Sequence, residues 1–95
     1  MKMEARVFRE GAVVSLWGCC NEMGEDGMSA TLTGELENGE VASLEFTLPM
    51  STAAIKLRAV VRYRSGFRHG FEFLRVSEKQ REAIRRALSV AAESE

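Results

Sequence analysis

Four groups of residues carry side chains with usable chemistry. Lys56, Arg58, Arg62 and Arg64 fall on even positions of one segment. Cations at that strand spacing line a wet face. They either pair across strands with acids such as Glu45 or present a surface to an anion, a nucleotide or an acidic partner. Glu22, Glu25 and Asp26 cluster in Asn21–Gly27 (NEMGEDG), a polar turn. Acids in such a turn read as solvated surface, and they lack the alternating ladder of a calcium loop. Cys19 and Cys20 are adjacent. Neighbours in a strand point to opposite faces, so a disulfide between them has poor geometry. They read as two reduced thiols, at least one of them buried. His69 is the sole histidine and no CxxC spacing exists, so no metal site is expected. Nothing resembles a Ser/His/Asp set, a phosphate loop or a dinucleotide fingerprint. The sequence offers no catalytic residues, and an enzyme is not expected.

The chain that must position these groups has 95 residues, 45% of them hydrophobic and 28% charged, with eight glycines and one proline. That is a globular composition with room for one domain, residues 1–95, and one modest core. No apolar run nears the roughly 20 residues that span a bilayer. The polar start, MKMEARVFRE, lacks the apolar segment of a secretory signal, so a cytoplasmic protein with no membrane contact is expected. Net charge is −1, which argues against a dedicated nucleic-acid binder. The charge is uneven: residues 1–54 hold three basic and nine acidic side chains, residues 55–95 ten and five. The halves can attract within the fold or between chains.

Alternation supplies most elements. Residues 3–9 read as a strand or an arm, with 1–11 together either an arm or the first strand. Residues 12–20 (AVVSLWGCC) read as a strand, 28–33 as a short one, and Asn38-Gly39 marks a turn. Residues 41–48 place Ala42, Leu44, Phe46 and Leu48 on one face and Ser43, Glu45 and Thr47 on the other. Residues 49–54 connect to 55–63, with Ile55, Leu57, Ala59, Val61 and Tyr63 inward. Ser65-Gly66 turns the chain into 67–74. Phe46, Phe67, Phe71 and Phe73 are expected in the core, Trp17 in the core or at a barrel mouth, and Met23 and Met28 in packing. Ser77 and Gln80 form a capping-box pattern opening a helix to about residue 92. Its stripe is Ile84, Ala87, Leu88 and Ala91. Short antiparallel strands followed by one amphipathic helix favour a small barrel over residues 12–74. The stripe either packs on the barrel or forms an oligomer seam.

The succession EMGEDGM, VASLEFTLP, IKLRAVVRY and HGFEFLRVSEKQREAIRRAL resembles the PilZ domain, a bacterial six-stranded β-barrel with a C-terminal helix. The resemblance covers about residues 12–90 and lies in the order of elements more than in any one motif. It implies a mainly β fold and a role in cyclic di-GMP signalling, motility or pilus systems. Members that bind cyclic di-GMP carry an arginine pair, RxxxR, before the barrel and DxSxxG in a turn. Guanidinium forks grip phosphates and guanine edges and stack on purines. The acid and serine bond guanine, and the glycine admits close backbone approach. Anchored on Gly27, this chain reads Glu22-x-Gly24-x-x-Gly27. The acid is one methylene longer and the serine is absent. The arginine pair is represented by Lys2 and Arg6, with Arg9 three residues beyond, and lysine lacks the planar fork.

The resemblance therefore implies Arg6, Arg9, Glu22, Gly24 and Gly27 as ligand-binding positions of a degenerate member. Such a member acts through contacts with a protein partner and binds cyclic di-GMP weakly or not at all. One alternative is a working receptor with a variant motif, in which ligand orders residues 1–9. The other is a small-barrel nucleic-acid binder using Lys56, Arg58, Arg62 and Arg64. Bases need exposed aromatics to stack on, and the inward register of Tyr63 counts against that alternative.

Overall fold

A computed structural model describes the chain except residues 50, 52, 94 and 95 and the side chains of 90–93. Part of the 49–54 connection and the Ala91 end of the helix stripe therefore lie outside the described residues. Six strands precede one helix: β1 Lys2–Arg9, β2 Ala12–Met23, β3 Gly27–Leu32, β4 Val41–Thr47, β5 Ala54–Ser65, β6 Arg68–Leu74 and α1 Glu78–Glu93. The strands form a closed barrel in the order β1-β2-β3-β6-β5-β4, every neighbouring pair antiparallel.

Closure depends on β1. Met3–Arg6 pair with Phe46–Ser43 of β4 on one side, and Lys2–Arg9 pair with Cys19–Ala12 of β2 on the other. Residues 2–9 are thus a full strand, not an arm. Glu10 and Gly11 turn the β1–β2 hairpin, both at positive φ, 49° and 79°. That is the backbone hand a two-residue hairpin needs.

The interior follows the alternation. Met3, Ala5 and Val7 from β1 meet Ala42, Leu44 and Phe46 from β4, Ile55, Leu57, Ala59 and Val61 from β5, and Phe71 and Phe73 from β6. Phe46 stacks on Phe73 with ring centroids 6.4 Å apart. Ile84 of α1 is fully buried, and Ala87 and Leu88 pack partly against the same core; the helix stripe lies on the barrel. Its start is a reciprocal cap. Ser77 Oγ accepts from Gln80 N–H at 3.1 Å, and Gln80 Oε1 accepts from Ser77 N–H at 3.2 Å. Gln80 Nε2 also donates to the Lys56 carbonyl at 2.8 Å, tying the cap to β5.

Three aromatic expectations are corrected. Trp17 and Phe67 are 60% and 53% exposed rather than core. Trp17 has outward parity on β2, and Phe67 sits in the β5–β6 turn. Tyr63 is 50% exposed because a bulge between Val61 and Tyr63 breaks the alternation. One extra residue flips every side chain beyond it.

The connection that holds the Asn38-Gly39 turn also supplies a core residue, Leu36. His69, fully buried, holds it there. Its Nε2 accepts from the Leu36 N–H at 2.9 Å, and its Nδ1 lies 2.8 Å from the Phe67 carbonyl. Those partners require the neutral ring with the proton on Nδ1. A protonated ring turns Nε2 into a donor facing a donor. Burial first, and the Arg64 charge after it, hold the His69 pKa below its ordinary 6.5 against the raising pull of the Phe67 carbonyl. The stability this supplies is whole above about pH 6.5 and is lost as pH falls through the folded value. The thermal midpoint is expected to fall between pH 7.5 and 5.5, and His69→Gln to flatten that slope. A flat wild-type profile over this range contradicts the assignment.

Candidate functional site

The β2–β3 turn forms the floor of the site. β2 extends to Met23, so Glu22 is a strand residue, placed after an irregularity between Cys20 and Glu22. Glu22 lies opposite Ser29 and Met23 opposite Met28. The Gly24 N–H donates to the Gly27 carbonyl at 2.8 Å and closes the turn. The two glycines differ in what they require. A Cβ on Gly27 would overlap the Phe71 carbonyl of β6, whereas one on Gly24 meets only the Gly27 carbonyl, 3.9 Å away. Gly27 is there for close strand approach; space does not require Gly24.

Above the turn is a cleft of about 350 Å³, lined by Glu22, Met23, Gly24, Gly27, Met28, Ser29, Arg62, Tyr63, Gly70 and Phe71. That volume is at the small end for ligand pockets. Tyr63 lies directly over Gly70, where a side chain would collide with its ring. The bulge that turns Tyr63 outward thus builds one cleft wall, with Arg62 beside it. Arg68 approaches from β6, its Nη2 3.4 Å from Ser29 Oγ and 3.8 Å from the Glu22 carboxylate.

The turn's acids are not simply solvated. Asp26 accepts from Arg81 at 2.8 Å and Glu25 from Arg85 at 3.0 Å. Arg85 also pairs with Glu82 at 2.9 Å. The turn is fastened to α1, and these hydrogen-bonded carboxylates raise the pKa of Arg81 and Arg85.

The structure brings Glu22, Gly24 and Gly27 together but not Arg6 or Arg9. Arg6 pairs opposite Ser15 and Arg9 opposite Ala12. At ~3.3 Å per residue along β2, they stand roughly 23 and 33 Å from Glu22. Both are engaged where they are. Arg6 contacts Glu4 at 2.7 Å and Glu45 at 3.5 Å. Arg9 grips Glu40 at 2.7 and 2.9 Å and the Glu35 carbonyl at 3.1 Å. That grip holds the Glu40 carboxyl below the usual carboxylate range.

The basic stripe also divides. Arg62 pairs with Glu72 and Arg64 with Glu35 at 3.1 Å. Lys56 lies opposite Glu45, although the ion pair of Glu45 is with Arg6. Only Arg62 reaches the cleft. Tyr63 and Arg68 were not picked out from the sequence. The one signal for them is Gly70, a glycine inside a strand pattern, which marks a bulge or close approach.

A closed six-stranded antiparallel barrel with a capped C-terminal helix and a glycine turn at one mouth defines the class. The chain matches the PilZ domain over residues 2–89, and it belongs to the PilZ domain family, whose members serve cyclic di-GMP signalling. It is similar in fold to the crystal structure of the PilZ domain of CeSA from a cellulose-synthesizing bacterium. The TM-score is 0.69 at 15% identity, over 98% of this chain and 92% of that one. No curated protein matches it closely enough to count as a relative. Among the described residues, no helix is long and apolar enough to cross a membrane.

The two glycines are separable by mutation. Gly27→Ala is expected to cost about 1–3 kcal/mol through overlap with β6, and Gly24→Ser to leave the urea midpoint almost unmoved. Equal losses in equilibrium unfolding would contradict the assignment of close approach to Gly27 alone.

Proposed function

We propose that this chain is a PilZ module that works through protein contacts and binds cyclic di-GMP weakly or not at all. One observation carries the reading: Arg6 and Arg9, the arginines that the resemblance implies as ligand-binding, stand in a barrel strand far from Glu22, Gly24 and Gly27 and are held by Glu4, Glu45 and Glu40. Moving them to the turn would unpair β1 from both neighbours and open the barrel. The remaining turn has no serine at Gly24, and its acids Glu25 and Asp26 are bonded to α1. The module serves the signalling, motility or pilus systems of its family by contacting another protein.

A second reading rests on Arg62, Tyr63 and Arg68. They bring two guanidinium groups and one aromatic face to the cleft region, the chemistry that phosphates and purines take. The chain would then be a receptor whose arginines come from the barrel wall.

Isothermal titration with cyclic di-GMP at near-physiological salt separates the two. The expected result is no saturable heat up to about 100 μM ligand. Low-micromolar binding, weakened at least about tenfold by Arg62→Ala or Arg68→Ala and unchanged in Arg9→Ala, would replace the first reading with the second.

A further inference from the structure

The four outward cations of β5 meet two different fates. Arg62 has Glu72 and Arg64 has Glu35. Lys56 and Arg58 have no such partner. Lys56 lies opposite Glu45, but that carboxylate contacts Arg6. Arg58 has Ser43 on one flank and Leu74 on the other, so neither neighbouring strand brings it an acid. Arg75 follows Leu74 at the end of β6 and is exposed. Among the described residues, every arginine except Arg58 and Arg75 is in an ion pair.

Those two arginines and Lys56 meet in one place. A second cleft, of about 460 Å³, is lined by Lys56, Leu57, Arg58, Leu74, Arg75 and Gln80. It shares no residue with the cleft above the glycine turn. Its volume lies within the roughly 300–1,000 Å³ of ligand pockets. The Gln80 amide is engaged by the Ser77 N–H and the Lys56 carbonyl, which fixes that wall. No carboxylate and no aromatic ring lines the cleft. Like charges gathered without a counter-charge repel one another. Arg75 also has φ 51°, a left-handed conformation that glycine or asparagine adopts more readily. At Glu10 a two-residue hairpin explains the same conformation; at Arg75, between β6 and α1, no hairpin does. Charge repulsion and an unfavourable backbone thus coincide at one spot, and such coincidences mark functional positions.

An anion would relieve the repulsion. We propose that this cleft binds a phosphate group, as inorganic phosphate or as a phosphomonoester. Near pH 7 a phosphomonoester carries a charge of about −1.5 to −2 and three strong acceptor oxygens. Two guanidinium forks and one ammonium match that acceptor set. A nucleobase finds nothing comparable here, with no ring to stack on and no carboxylate to accept from guanine. The proposal therefore concerns a different ligand and a different place from the glycine-turn cleft, and it does not rest on the protein-contact reading.

Nuclear magnetic resonance titration of the ¹⁵N-labelled full chain with inorganic phosphate, at pH 7.5 and constant ionic strength, tests it. The expected result is saturable shifts grouped at residues 56–58, 74–75 and 80, with a dissociation constant of about 1 mM. Arg58→Gln and Arg75→Asn are each expected to weaken binding at least about tenfold. Arg62→Ala, which removes a cation already paired with Glu72, should leave it unchanged. Arg75→Asn should also keep or raise the thermal midpoint, because asparagine tolerates the left-handed backbone; an arginine with a purely structural role would lower it. Glycerol phosphate and a short capped phosphoserine peptide then separate the sources. Tighter binding of the peptide by at least about tenfold assigns the phosphate to a partner's modified side chain, and equal or weaker binding assigns it to a free ester. Shifts that grow without saturating, or that spread over the paired arginines as well, overturn the proposal. So does binding indifferent to both Arg58→Gln and Arg75→Asn.

Discussion

The barrel closes only because residues 2–9 pair on both sides, with β2 and with β4. A sheet left open at β4 would present a row of unpaired N–H and C=O groups. It would also uncover Met3, Ala5 and Val7, which face the interior. Burying those side chains and satisfying two ladders fixes the direction of β1, and with it the direction of everything β1 carries. Arg6 and Arg9 point where the pleat sends them, toward acids on the wall and at the barrel end. A segment cannot both complete a barrel and swing its arginines over a distant turn. Closure in this chain therefore decides chemistry as well as stability.

The same argument explains what the sequence made legible. β4 alternates without interruption because one face is buried and the other wet along its whole length, so its pleat can be read directly. The helix start is legible for a local reason: Ser77 and Gln80 satisfy each other's backbone N–H groups, which needs no knowledge of the rest of the fold. Tyr63 was misplaced because a bulge obeys the partner strand. Glycine at position 70 lets the tyrosine ring lie across it, and the phase shift appears only when β5 is set against β6. Leu36 was missed for a related reason. It is a lone apolar residue among polar ones, and only the His69 ring, 33 residues further on, gives its backbone a buried partner.

Of the candidate site, the part encoded locally was legible: Glu22, Gly24 and Gly27 lie together at the β2–β3 connection. The part encoded by long-range pairing was not. Arg62 is one of four similar cations in the sequence, yet it lines the cleft while Arg64 turns to Glu35. Arg81 and Arg85 looked like the polar face of a helix. They meet Asp26 and Glu25 across 55 and 60 residues of chain. Trp17 and Phe67 show the limit of hydrophobicity as a guide, since a small barrel has more outward positions than polar residues to fill them.

The turn-to-helix ion pairs differ in kind from the contacts that hold the barrel. Exposed pairs contribute about 0–1 kcal/mol each and weaken with salt. Burial of a side chain such as Ile84 contributes about 1.5–3 kcal/mol. The helix is therefore fixed at its first turns by Ile84 and by the Gln80 link to β5, while the Arg81 and Arg85 links set the charge around the glycine turn more than its position. That division of labour matters for the site. Glu25 and Asp26 are paired with Arg85 and Arg81 of the helix, and the charged residues that line the cleft are Glu22 and Arg62, with Arg68 beside them. Arg62 already has Glu72, and Arg68 already leans on Glu22 and Ser29. Any anion entering the cleft would compete with carboxylates the protein itself supplies, which is the electrostatic argument for the weak nucleotide binding we propose.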